Sequence, residues 1–165
     1  CVYCDIDNFK AFNDAYGFER GDRMILSLKE LIHECARSHD ASDAFVGHIG
    51  GDDFMIIATP QQAEAIGKSV VAEFAGRTQT LADKVDRDQG FIEIINRTGQ
   101  MQRFPLPTLT AVMVTNQADD IHHPGRVSAI LAELKAYVKT MEGSNFLRDR
   151  REHHNSEESL ARKPE

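Results

Sequence analysis

His48-Ile49-Gly50-Gly51-Asp52-Asp53-Phe54 places two glycines and two carboxylates in a row between apolar runs at 45–49 and 54–58. Two apolar runs joined by a glycine-containing turn read as a β-hairpin. Paired glycines let the chain reverse with positive φ and let another group approach the main chain closely. The reading gives a strand over 45–49, a tip over 50–53 carrying both aspartates, and a strand over 54–58. Gly-Gly-Asp is also ordinary turn chemistry, so this stretch alone specifies a hairpin and not a site.

Upstream, Cys1 to Cys4 reads as the remnant of a strand, with Asp5 and Asp7 at its end. Residues two apart on a strand share a face, so these two carboxylates project together. Residues 8–15 read as a loop or short helical turn, punctuated by Gly17 and Gly21. Asp22 then opens a helix as its N-cap, with Met24, Leu28, Leu31, Ile32 and Cys35 as the buried stripe and His33 and His39 in solvated positions.

Residues 3–22 read YCDIDNFKAFNDAYGFERGD. This resembles the pattern DxDxFKxxND, then YG and GD, with GGDEF downstream; here that signature stands as GGDDF. The chain resembles the GGDEF domains, the family of diguanylate cyclases. The parts occur in order, so the match is far more specific than one short motif. It spans most of residues 1–149 and weakens beyond the hairpin. The family's usual preceding segment, with its DxLTGLxNR motif, is absent from the 165 residues, and the chain reads as a piece of a longer protein.

The net charge of -7 argues against a nucleic-acid duplex as partner, because phosphate backbones select a basic face. No apolar run approaches the ~20 residues of a membrane span, and no signal peptide is present; a cytoplasmic domain, or one on the cytoplasmic side of a membrane-anchored protein, is expected. Of the cysteines, Cys1 and Cys4 have CxxC spacing but in an apolar strand-like run, no second pair or Cys/His spacing suggests zinc, and all three, with Cys35, read as reduced thiols. Hydrophobic content of 41% over 165 residues suits one globular domain, here residues 1–149, followed by a polar, exposed tail over 150–165.

After the hairpin, Pro60 starts a helix with Ala63, Ile66, Val70, Val71 and Phe74 facing inward; residues 76–90 extend it or fray. Residues 91–96 and 100–104 form a small hairpin about 97–99. A strand over 109–115 follows, then a loop over 117–125 whose His122-His123 pair lacks a third metal ligand. The last helix covers 127–141, with Gly143 as its C-cap and a strand or strap over 144–147. The expected fold class is α+β (an α/β sandwich): a βαββαβ core of the ferredoxin-like or polymerase-palm kind, its mostly antiparallel sheet carrying helices on one face.

The resemblance implies attack of a ribose 3′-hydroxyl on the α-phosphorus of GTP, joining two GTP into cyclic di-GMP plus pyrophosphate. Such nucleotidyl transfer needs metal to neutralise developing charge. It implies Mg2+ or Mn2+ held by Asp5, the carbonyl of Ile6 and Asp52 or Asp53, with Asp52 and Asp53 as the catalytic carboxylates. It implies phosphate contacts at Asn8, Phe9, Lys10 and Lys139 and guanine contacts at Asn13 and Asp22. Carboxylate and amide groups suit the edges of guanine, although Asp22 also suits a plain cap and Asn13 a plain turn.

Departures from the pattern are concrete. Asp53 stands where the family has Glu, and a shift of about 1 Å in a reacting group costs roughly 10²-fold in rate. Phe18 replaces the usual His, His48 the usual Arg, and Ser144 the arginine after Gly143; Arg148 is the remaining candidate for that role. The stretch from Lys139 to Gly143 is one residue longer than the family's AKxxGRN. Asp40-Ala-Ser-Asp43 occupies the place of the product-inhibition motif RxxD without an arginine. Two functions stay open: a diguanylate cyclase, working as a homodimer, or a catalytically degenerate GTP-binding regulatory module controlling an attached partner such as an EAL phosphodiesterase. Similarity to GGDEF domains joined to EAL and CBS modules makes further signalling domains in the full-length chain an expectation.

Overall fold

The computed structural model describes residues 1–95, 98–117, 121 and 123–151. The strands are β1 (Val2–Asp7), β2 (Phe45–Gly50), β3 (Asp53–Ile57), β4 (Phe91–Ile95), β5 (Met101–Pro105), β6 (Thr108–Met113) and β7 (Asn145–Arg148). The helices are α1 (Phe9–Tyr16), α2 (Phe18–Ser38), α3 (Pro60–Thr78), α4 (Lys84–Gln89) and α5 (Pro124–Val138), with a 3-10 turn at Gln79–Leu81. β1, β2, β3 and β6 with the helices between them make the βαββαβ core. The main sheet runs β2-β3-β1-β6-β7, antiparallel except for the parallel β6–β7 pair, and β4–β5 is a separate hairpin.

Alternation along β1 sorts the side chains. Val2, Cys4 and Ile6 face one side with Phe54 and Ile56 of β3 and Leu109, Ala111 and Met113 of β6. α2 covers them with Met24, Leu28, Leu31 and Ile32, and α3 with Ala63, Ile66, Val70 and Phe74. Cys4 is buried there, and burial pushes its thiol up to about 12; all three cysteines are free. Tyr3, Asp5 and Asp7 face the other side. There Val112 and Val114 pack against Ile130, Leu131, Leu134 and Val138 of α5, with Tyr3 and Leu147 at the margin. Helices therefore cover both faces, not one. Sequence periodicity gives each helix an apolar stripe but does not assign it to a face.

Several boundaries differ from the sequence reading. Residues 9–16 are a helix, entered through Asn8 in the left-handed region (φ 59°), which Asn tolerates better than most residues. α2 begins at Phe18 behind Gly17, so Asp22 is an exposed residue of its second turn and no cap. Residues 76–90 divide between the end of α3, the 3-10 turn and α4. α5 ends at Val138, so Lys139 is its C-cap; Gly143 (φ 77°) turns the chain into β7 instead. His39 is half-buried, bonded to Ser69 Oγ at 2.8 Å. His122 lies outside the described residues; His123 caps α5 by accepting from the Gly125 amide.

The packed chain also continues past the expected start of the tail. Asp149 is buried, its amide donates to the Met113 carbonyl at 2.8 Å, and Arg151 pairs with Asp149 and Glu133. Residues 152–165 lie outside the described residues.

Gly67 of α3 is where β7 comes closest: a Cβ there would stand 2.5 Å from the Phe146 ring. Alanine is the better helix former by about 1 kcal/mol, yet overpacking typically costs about 1–3 kcal/mol. Gly67→Ala should therefore destabilise the fold, seen as a lower urea midpoint with an unchanged m-value.

Candidate functional site

Asp5 and Asp53 are directly opposed across the antiparallel β1–β3 pair. Like charges in that position repel, and Asp5 is buried, with 5% of its surface exposed. α5 supplies the compensating charge. Lys135, in its last turn, puts Nζ 2.6 Å from Asp5 Oδ2 and 3.5 Å from Asp53 Oδ1. Lys139 pairs with Asp5 Oδ1 and lies 3.5 Å from Asp7 Oδ1. That Asp5 oxygen is shut off from solvent and has no aligned hydrogen-bond donor, so its contact with Lys139 is one of charge.

The protonation equilibria follow. Burial by itself would raise the Asp5 carboxyl, but the ammonium groups of Lys135 and Lys139 more than offset it and hold it below its ordinary value. Burial alone would lower Lys135, and the Asp5 carboxylate, followed by Asp53, holds it above its ordinary value. Asp52, in the β2–β3 turn, is raised by burial and then by the charges of Asp5 and Asp53. Asp7 is raised by burial, opposed by the hydroxyls of Thr110 and Thr108 that donate to it.

The turn that carries Asp52 is held from its rim. Gly50 (φ 151°) and Gly51 (φ 57°) make the reversal. His48 stacks on Phe54, centroids 4.6 Å apart, and its Nε2 is 2.8 Å from the Gly51 carbonyl. A carbonyl only accepts, so His48 carries its proton on Nε2. In the family an arginine stands here; in this chain the residue closes its own hairpin.

Asn8, Phe9 and Lys10 sit where β1 passes into α1. The first amides of a helix have no intrahelical partner, and the Asn8 side chain does not cap them. Asn8 lines two open cavities. One, of about 730 Å³, lies between Lys10, Ala11 and Asp14 and the β4–β5 hairpin. The other, of about 580 Å³, lies between Asp7, Thr108 and residues 139–143. Phe9 packs against the core. Asn13 lies against Gly21, where a Cβ would overlap its amide, and its Oδ1 is buried without a hydrogen-bond partner. An orphaned buried acceptor calls for an explanation. Gly21 is the residue before the exposed Asp22, so Asn13 packs against α2 one residue before Asp22.

The structure thus brings Asp5, Asp53, Asp52 and Lys139 together, with Ile6 beside them, its side chain in the opposite core. Asn13 is on α1 against Gly21 of α2, the residue before Asp22. Lys135, which the sequence reading passed over, is the centre of the Asp5 group; as a lysine in the inward-facing row with Leu131 and Val138 it carried a signal. Ser144 accepts from the Leu109 amide at 3.0 Å. Arg148 pairs with Glu64 of α3 and with Gln117, across the sheet from Asp5, so it does not replace the family's arginine here.

Among the described residues, no three His, Cys, Asp or Glu side chains converge to hold a metal ion. The expected ligand set does not fit one as arranged: ammonium groups cover both oxygens of Asp5, and one of them bridges to Asp53.

Tyr16 anchors the far end of α1 by donating to Asp86 of α4. Burial, then that bond, pushes its pKa up to about 12. A raised tyrosine stabilises the fold below its unfolded pKa of ~10, and this stabilisation fades as pH rises towards 12. Tyr16→Phe should remove a late component from the alkaline absorbance titration at ~295 nm and flatten the loss of stability above pH ~10.

The model of the family described as "Diguanylate cyclase, GGDEF domain" matches residues 1–103. A diguanylate cyclase from Vibrio cholerae is 37% identical over 57 residues, which is 34% of this chain and 16% of that protein. The bifunctional diguanylate cyclase/cyclic di-GMP phosphodiesterase MucR of Pseudomonas aeruginosa is 32% identical over 73 residues, 42% of this chain and 10% of its own. The cyclic di-GMP phosphodiesterase PdeR of Escherichia coli is 35% identical over 65 residues, 39% of this chain and 9% of its own. The matched stretch is thus a sixth or less of each of these relatives' length. The crystal structure of the GGDEF domain of YfiN (TpbB) from Pseudomonas aeruginosa superposes with a TM-score of 0.51 at 17% identity, covering 91% of this chain and 81% of that one. No helix among the described residues is long and apolar enough to cross a membrane. On the family match and the shared fold, this chain belongs to the GGDEF domain family of cyclic di-GMP signalling.

Proposed function

We propose that this domain is a regulatory GGDEF domain that binds GTP without condensing it and biases an attached partner domain. The observation that carries the reading is the bridge from Lys135 to Asp5 and Asp53. It neutralises the carboxylates that the family's chemistry would use. Magnesium or manganese, which the family generally uses, would have to displace it. Asp53 in place of Glu and Ser144 in place of Arg point the same way.

Binding has its own support. Guanine would meet Asn13 and Asp22. The buried Asn13 oxygen lacks a partner, and Gly21 keeps space for it. The phosphates would lie at the uncapped start of α1, near Asn8, Phe9 and Lys10, with Lys139 across the cavity. GTP would enter from the cytoplasmic pool. Relatives named as phosphodiesterases or as bifunctional proteins suggest the kind of partner: a domain acting on cyclic di-GMP, whose equilibrium GTP shifts by linkage.

The test is calorimetric titration with GTP, followed by chromatography of the incubated sample for cyclic di-GMP. Binding without product is expected. Product would establish the cyclase and the dimer it needs; absence of binding would remove GTP from the account. Asn13→Ala and Asp22→Ala should each weaken GTP about tenfold or more, since an unpaired buried polar group costs about 1–3 kcal/mol. Gly21→Ala should do the same with no fall in Tm, because the added methyl displaces the Asn13 amide while improving the helix.

A further inference from the structure

Lys135 occupies a place defined on four sides. Below it, Asp5 and Asp53 face each other across β1 and β3. Its ammonium lies 4.9 Å from the centroid of the Tyr3 ring, within cation–π range. Above it, Leu131, Leu134 and Val138 fix α5 onto Val112 and Val114, so the backbone that delivers the ammonium is set by core packing. The last turn of a helix also favours a cation. Lys135 is three-quarters buried, with 26% of its side chain exposed.

The geometry points to Lys135 as the built-in counter-cation of the Asp5–Asp53 pair, standing where the family would place a divalent metal ion, so that this chain needs no metal there and excludes one. An ammonium has three donors and no acceptor. It can meet one carboxylate on each strand and still present a face to the Tyr3 ring. A small divalent ion would need inner-sphere oxygens from the same carboxylates, and Lys139 already lies against the remaining oxygen of Asp5. Two negative charges facing one another across a sheet repel, and this chain carries a compensating cation covalently. For the GTP-binding reading, on which this extension rests, the nucleotide would be held without a protein-bound metal ion at Asp5.

The test uses Mn2+ alone, followed by its paramagnetic resonance signal as protein is added, so its result does not depend on whether GTP binds. The parent chain should leave free Mn2+ undiminished up to millimolar protein. Lys135→Met, which keeps the stem and removes the charge, should gain a Mn2+ site at least tenfold tighter than any in the parent, and Asp5→Asn added to it should abolish that site. Lys135→Arg keeps the charge and should behave as the parent. Tight Mn2+ uptake by the parent, equal uptake by the parent and Lys135→Met, or no gain in folded Lys135→Met would each overturn the proposal. If Lys135→Met does not fold in chelator, recovery of its circular dichroism by Mn2+ would support the proposal, and lack of recovery would overturn it.

Discussion

Two carboxylates held face to face across neighbouring strands are an arrangement a sheet would ordinarily avoid. Asp5 and Asp53 are fixed there by a register that the core enforces. Cys4 must meet Phe54 and Ala111 on one face, and alternation then commits Asp5 and Asp53 to the other. A one-residue slip would send the whole hydrophobic set of β1 to the wrong side. The charge problem is therefore a consequence of the packing, and α5 answers it. Its apolar stripe binds the sheet, and its last turn and C-cap deliver the Lys135 and Lys139 ammonium groups to the carboxylates.

The two faces of the sheet consequently have different work. The α2–α3 face is almost wholly apolar and supplies the larger core. The α5 face is apolar under Ile130, Leu131, Leu134 and Val138 and carries charge where Asp5 and Asp53 meet across β1 and β3. Tyr3 stands at the transition, with its ring under Lys135. The two open cavities at Asn8 flank this polar region, one towards β4–β5 and one towards the turn after α5. Asn8, left-handed at the entry to α1, lines both.

Much of this was legible in the sequence. The hairpin about Gly50 and Gly51, the strand carrying Asp5 and Asp7, the helix after Pro60 and the α+β class all follow from local pattern. Asp22 misled because a carboxylate before an apolar stripe looks like a cap, whereas Gly17 enters the helix five residues earlier. Residues 8–15 were open between a loop and a short helical turn because Asn8, Asn13 and Asp14 favour turns; Ala11 and Phe12, buried in the core, go with the helix. Arg151, just past the expected domain end, pairs with Asp149 and Glu133, contacts that only the fold brings together. Lys135 was missed for a deeper reason: its importance depends on which face α5 covers, and no periodicity states that.

The stretch from Lys139 to Gly143 joins α5 to β7 and lies outside both elements. α5 is seated on the sheet by its apolar stripe, and β7 is anchored to β6, so packing fixes both ends of this connection. Length in such a loop is free to vary at little energetic cost. The face that α5 turns to Asp5 is therefore insulated from changes in the loop behind it, and the electrostatic character of the sheet is inherited from the core.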